Sequence, residues 1–257
     1  MNRHLALALL LGAATLTACD KNAVQALPLA PIATARIKFF NFGVNNTPGV
    51  NFYANETKMT AISGTQTEAT TGVTYGSAGN SGLYSAIAPG TYTLTGRIAA
   101  TTNKNLPIDT LSTTIADGKF YSFYLSGAYD TTAKKVDAFV VEDPVPAQAD
   151  YSVAYVRFVH AIYNANPMTL YVKNVDTTVT KDSIAIGGEV AYKAVGAFTA
   201  VPNGVYNLIT RYNDSTSVIS RGNVSLVRGH LYTVGARGDI TKTTGTFVPA
   251  LDNTANR

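Results

Sequence analysis

The chain has 257 residues, a formal net charge of +4, 46% hydrophobic residues and only 14% charged ones. So mild a charge, spread along the chain with Lys134-Lys135 as its nearest approach to a cluster, excludes the basic stripe that nucleic-acid binding needs. A single cysteine excludes an internal disulfide framework.

Residues 1–18 read as a bacterial signal peptide. Arg3 gives the positive start, Leu5 to Ala14 the apolar run, and small residues precede Cys19. The apolar run is shorter than the about 20 residues that a transmembrane helix needs. Leu16-Thr17-Ala18-Cys19 resembles a bacterial lipobox, which implies a diacylglycerol on the Cys19 sulfur and a membrane anchor through it. The expected location is the cell envelope, with the outer membrane or cell surface favoured and the periplasmic face of the inner membrane the alternative. Residues 19–34, with Pro28 and Pro31 and no periodicity, read as the lipidated terminus and a tether.

Beyond the tether the chain is written twice. "ARIKFFNF" at Ala35 answers "AYVRFVHA" at Ala154, and "VNFYAN" answers "MTLYVKN". "VTYG" answers "VAYK", "PGTYTL" answers "PNGVYNL", and "DGKFYSFYLSG" answers "RGHLYTVGARG". The offset shrinks steadily from Phe39/Phe158 through Tyr75/Tyr192 to Tyr121/Tyr232, as loop deletions would make it. Within each copy the period is two. Tyr92, Leu94 and Ile98 face one way and Thr91, Thr93, Thr95 and Arg97 the other, while Arg36 and Lys38 are expected to face solvent. About seven short strands per copy, separated by turns such as Pro89-Gly90 and Asn203-Gly204, predict an all-β chain of two tandem immunoglobulin-like β-sandwiches. The expected bounds are 35–143 for the first, 144–152 for a stiff linker, 153–250 for the second and 251–257 for a tail. Gly118-x-x-Tyr121 and Gly229-x-x-Tyr232 predict a tyrosine that starts a strand and bonds back to the turn before it.

These repeated motifs resemble a bacterial envelope family, the domain of unknown function 4397. Its members are secreted or lipid-anchored and often carry the unit in tandem. The resemblance covers nearly the whole chain after the leader, the second copy more fully, since Asn41 stands where that copy has His160. It implies fold and location and brings no activity.

Chemistry is sparse. There is no Gly-x-Ser-x-Gly elbow, no His-x-x-x-His, no cysteine pair, no acidic calcium loop and no phosphate-binding glycine motif. No catalytic residue, metal or cofactor is expected. His160 lies in phase with Val156 and Phe158 and is expected at the rim of the core, with a ligand or catalytic role as the sharper alternative. Tyr84, Tyr129, Tyr163 and Tyr212 lie near loops or strand ends and are candidate contacts, since tyrosine is large, fairly rigid and amphipathic. The absence of tryptophan weighs against sugar stacking. Five aspartates precede Thr110, Thr131, Thr177, Ser183 and Ser215 in a pattern that resembles the O-glycosylation acceptor of Bacteroidetes envelope proteins. Turn chemistry is the competing explanation. The function expected is a non-catalytic envelope module that contacts glycans or other envelope proteins. A structural spacer is the alternative, and a hydrolase of envelope polymers is less favoured.

Overall fold

The computed structural model describes residues 34–60, 71–146, 149–176, 178, 182–213 and 216–256. The leader, Cys19, the tether up to residue 33, Thr177 and Ser215 lie outside the described residues.

The first repeat contains β1 (Ala35–Asn41), β2 (Val50–Ala54), β3 (Thr57–Lys58), β4 (Ser77–Ala78), β5 (Ser85–Ile87), β6 (Gly90–Ile98), β7 (Leu111–Ile115), β8 (Phe120–Asp130) and β9 (Lys135–Glu142). One sheet runs β4-β1-β8-β9, with β5 also on β1, and the facing sheet runs β3-β2-β6-β7. The second repeat contains β10 (Val153–His160), β11 (Met168–Asn174), β12 (Ser183–Val190), β13 (Thr199–Pro202), β14 (Gly204–Arg211), β15 (Ser217–Leu226), β16 (Leu231–Arg237) and β17 (Ala250–Ala255). Its sheets run β13-β10-β16-β17 and β12-β11-β14-β15. The chain is therefore an all-β protein of sandwich type, with eight strands in the second copy rather than about seven. In both copies the first strand lies inside its sheet and runs parallel to the strand that follows the Gly-x-x-Tyr turn.

The repeated turns are built alike. Gly118 and Gly229 adopt positive φ (68° and 76°), which glycine accepts without a Cβ penalty. The Tyr121 hydroxyl then accepts from the Ala116 N–H at 3.1 Å, and the Tyr232 hydroxyl accepts from the Val227 N–H at 3.2 Å. Tyr92 and Tyr206 donate to the carbonyls of Ala88 and Pro202, each at 2.9 Å. Both tyrosine pairs sit at matching places and pin matching corners.

Each sandwich has its own core, but a third apolar cluster lies between the two. Phe40, Phe42, Tyr124, Phe139 and Val141 from the first repeat meet Val159 and Ala161 from the second. The two sheets that carry the first strands thus pack face to face, and residues 33–257 form one compact unit. Two expectations change here. Lys38 does leave its own sandwich, yet it is fully buried, because the second repeat covers it. Most of the expected tail, 251–257, is built in: Leu251 to Ala255 belong to β17, which pairs with β16 from Arg237 to Tyr232. That segment occupies the place of β9, but "ALDNTA" is too short and polar to announce itself by alternation.

Candidate functional site

The side chains best suited to chemistry converge on the seam between the repeats. Lys38 on β1 and Arg157 on β10 are counterparts. Arg157 Nη1 donates to the Glu142 carbonyl at the end of β9, at 2.8 Å. Lys38 Nζ donates to the Ala255 carbonyl at the end of β17, at 2.6 Å. Each cation reaches across to the last strand of the other repeat, so the contacts are related by an approximate two-fold, the pattern of an isologous interface.

The residues after those carbonyls also correspond. Asp143 and Asn256 return their N–H groups to Phe120 and Leu231 at 2.6 and 2.7 Å. Asn256 Nδ2 donates to Thr233 Oγ1 at 2.8 Å, and Ser122 Oγ donates to Asp143 Oδ2 at 2.7 Å. The symmetry breaks in charge. Asp143 forms a buried ion pair with Arg157, whose Nε also donates to Thr233 Oγ1 at 2.9 Å. Among the described residues no carboxylate is in hydrogen-bond contact with Lys38; it sits 4.3 Å from the centre of the Tyr84 ring. Burial, offset in part by Asp143, lowers its pKa to about 8.

Tyr192 and Tyr75 are a second crossed pair. The Tyr192 hydroxyl lies 3.2 Å from Ser126 Oγ on β8, and the Arg237 guanidinium from β16 lies 5.0 Å from the Tyr75 ring. Arg237 is in turn ion-paired with Asp252. Asp143, the last residue expected in the first sandwich, thus lies inside the seam, directly before the expected linker.

His160 is fully buried. Its Nδ1 accepts from the Ile162 N–H at 3.2 Å, so Nε2 carries the proton and faces the Asn166 carbonyl at 3.1 Å. Burial lowers its pKa below the usual histidine value. Asn41 repeats the arrangement with a different side chain. Its Oδ1 accepts from the Gly43 N–H at 3.3 Å, and its Nδ2 donates to the carbonyls of Val73 and Pro48 at 2.9 and 3.2 Å. Both side chains offer one acceptor to the residue two places on and one donor to the following loop. The position asks for that geometry and not for an imidazole, and both ring nitrogens are engaged inside the fold.

The other candidates scatter. The Tyr84 hydroxyl donates to Asp143 Oδ2 at 2.7 Å, and burial with the neighbouring carboxylate raises its pKa. It is a seam residue and not a surface contact. Tyr129 is buried in the first core, and Tyr212 packs against the second. Tyr163 alone stays substantially exposed. His230 lies in its turn, stacked 6.0 Å from the Tyr232 ring. Thr110 and Thr131 are exposed and Ser183 is half-buried. Asp130 accepts from the N–H groups of Thr132 and Ala133 at 2.8 and 2.9 Å, and Asp176 accepts from Thr178 N–H at 2.9 Å, which is turn chemistry. Asp109 is buried, so the carboxylate of that motif faces inward. Among the described residues no three His, Cys, Asp or Glu side chains group so as to hold a metal ion.

Sequence reasoning missed Lys38, Arg157, Asp143, Ser122, Thr233 and Asn256. A signal was present. "FFNF" and "FYSFYLSG" are nearly continuous apolar runs, the mark of strands covered on both faces.

No curated protein matches the chain. Among solved structures, a candidate cell adhesion protein from Bacteroides ovatus shares 14% identity, with 89% of this chain and 97% of that one covered. Its TM-score is 0.26, too low to argue from. A family model described as "Domain of unknown function (DUF4397)" matches twice, over residues 35–171 and 154–257. With both copies matched and together spanning most of the sequence, the chain belongs to the DUF4397 family and carries its domain in tandem.

Proposed function

We propose that this chain is a non-catalytic module of the bacterial cell envelope, anchored through lipid on Cys19, whose tandem body contacts glycans or other envelope proteins. The observation that carries the reading is where the reactive side chains go. Arg157, Asp143, Lys38 and His160 are all buried and bonded within the protein. Their chemistry is spent on holding loops and joining the repeats. The outer surface keeps exposed threonines, serines and asparagines that suit neutral polar contacts. Among the described residues no helix is long and apolar enough to cross a membrane.

The two-fold seam also favours the spacer reading, because a body with a continuous core between its halves transmits position without a hinge. Glycan-array binding and co-purification from envelope fractions separate the two. A binding module retains a defined glycan or envelope protein, and a spacer retains none. Protease shaving of intact cells, with wild type beside Cys19→Ala, tests the location. Surface digestion of the wild type, with the variant released or lost, supports the anchored module. Digestion only after the outer membrane is breached overturns a surface role.

A further inference from the structure

The outer sheets of the two repeats, those that face away from the seam, carry the same pair of side chains. In the first, Arg97 on β6 lies over the Tyr53 ring of β2, 4.4 Å from its centre. In the second, Arg211 on β14 lies over the Tyr171 ring of β11, 4.9 Å from its centre. The register makes them counterparts. Asn51 faces Arg97 as Thr169 faces Arg211, and Tyr53 faces Thr95 as Tyr171 faces Ile209. Phe52, Ala54 and Leu94 enter the first core and Leu170, Val172 and Leu208 the second, so by alternation both tyrosines and both arginines stand on the outer face. The core position beside the tyrosine changes from Phe52 to Leu170, and the outer pair is kept.

The first copy shows what the pair takes. Glu56 receives both ends of the Arg97 fork: Nη1 donates to Oε2 at 2.8 Å and Nη2 to Oε1 at 2.9 Å. This two-point contact is the geometry in which arginine recognises a carboxylate. The Glu56 side chain is 86% exposed, so the carboxylate comes to the fork from the solvent side. The hydrogen bonds from Arg97 lower its pKa, which keeps it ionised on the fork. The ring beneath holds the guanidinium plane, so little side-chain freedom is lost when the fork closes.

The second copy has the fork without the carboxylate. Among the described residues Arg211 meets the Tyr171 ring and no carboxylate within ion-pairing distance. Its Nε is enclosed, and its terminal nitrogens, the ones Glu56 meets on Arg97, are open. The carboxylate next along that row, Glu189, stands across Thr169 on β12, two strands and about 10 Å away. Lys173, exposed two places beyond Tyr171, adds a cation where the first copy has Asn55. Thr169, Asn207 and Ser220 supply hydroxyl and amide groups on the same face. Contact here runs through side chains alone, because β11 and β14 are paired along both edges, and a peptide strand has no ladder to join. A hydroxylated acid finds a partner for each kind of group it carries. We infer that the Tyr171–Arg211 face of the second repeat binds an acidic sugar, a uronate, with its carboxylate on the Arg211 fork as Glu56 sits on Arg97. The inference rests on the glycan reading above and names the class of glycan.

The test titrates the full ¹⁵N-labelled chain with galacturonate and glucuronate, beside glucose, acetate and a glutamate-rich peptide. The readouts are the Nε–H resonances of Arg211 and Arg97 and the backbone amides of β11 and β14. A uronate is expected to move Arg211 and to leave Arg97, which Glu56 occupies, in place. Arg211→Lys keeps the charge, removes the fork and is expected to weaken binding about tenfold, the worth of one charge-assisted hydrogen bond. Glu56→Gln frees Arg97 and is expected to create a second site, so that Arg97 then moves as well. This exposed substitution tests the proposal should Arg211→Lys not fold, and an unmoved Arg97 counts against it. Glucose or acetate shifting Arg211 as strongly as the uronates overturns the acidic-sugar assignment, and so does binding of the peptide in their place. An Arg211 resonance that stays still under both uronates, while a glycan binds on the array, overturns this site and leaves the module reading standing. Failure of every glycan on the array and of both free uronates overturns both.

Discussion

The two sandwiches share a backbone plan and fill it differently. In the first core Phe39, Phe52 and Phe123 pack as a triangle with ring centres 5.1 to 6.0 Å apart. The same three places in the second hold Phe158, Leu170 and Val234. The seam shows the same imbalance. Phe40, Tyr124 and Phe139 stack at 4.7 and 5.0 Å, while the counterparts of Phe40 and Tyr124 are Val159 and Gly235. A side chain on Gly235 would come within 3.0 Å of the Phe42 ring. Large residues of one copy therefore meet small residues of the other. What the copies keep in common is turn tyrosines, first-strand cations and a loop pin. Backbone geometry constrains those features, whereas a core needs only the right total volume.

The charge asymmetry of the seam offers the largest break in this comparison. Asp143→Ala strands the Arg157 guanidinium in a buried site and is expected to cost about 3–5 kcal/mol in urea unfolding. Lys38→Met, at the matching place, removes a cation that burial already disfavours, and is expected to stay within about 1 kcal/mol of wild type. Equal losses would mean that the two cations do the same work.

Asp109 sharpens the comparison through pH. Its Oδ1 accepts from the Gly96 N–H, its Oδ2 has no partner among the described residues, and burial raises its pKa to about 7. The second repeat has Thr210 in place of Gly96, and that threonine accepts from Ile219 N–H instead. Between pH 4 and 7 the folded carboxyl holds a proton that the unfolded chain has lost. Its contribution is therefore full below about pH 4 and is lost as pH rises through 7. Relative to Asp109→Asn, wild type is expected to lose a few kcal/mol across that window, read from unfolding curves at several pH values. A constant difference would remove Asp109 as the titrating group.

Deleting the loop pin has a comparable cost, and exchanging its two versions gives the smallest effect. His160→Ala frees the Ile162 N–H and the Asn166 carbonyl, at about 1–3 kcal/mol for each buried group left unpaired. His160→Asn copies Asn41 and is expected to recover more than half of that loss in thermal unfolding. Equal losses for alanine and asparagine would break the equivalence of the two positions.

Much of this architecture is legible in the sequence. The repeat, the strand period and the Gly-x-x-Tyr corners are local patterns, and local patterns survive in a string of residues. The seam is not legible in the same way. An alternation rule assigns one face of a strand to the core and the other to water, so it sends Lys38 and Arg157 to solvent. It has no term for a third layer supplied by the other copy. Tyr84 and Tyr129 mislead likewise, because closeness to a loop in sequence says little about which side of the sheet a ring occupies.

The two-fold seam has a consequence for how such a body behaves at a crowded surface. Two separate copies of one domain would have to find each other, and their pairing would follow their density. Carried on one chain, the second copy is present at an effective concentration on the order of millimolar or higher, whatever the expression level. Pairing then answers to the linker and not to abundance. The same arrangement sets a limit, since the matching face is consumed within each chain. A third copy finds no vacancy there, and growth through that face ends at two.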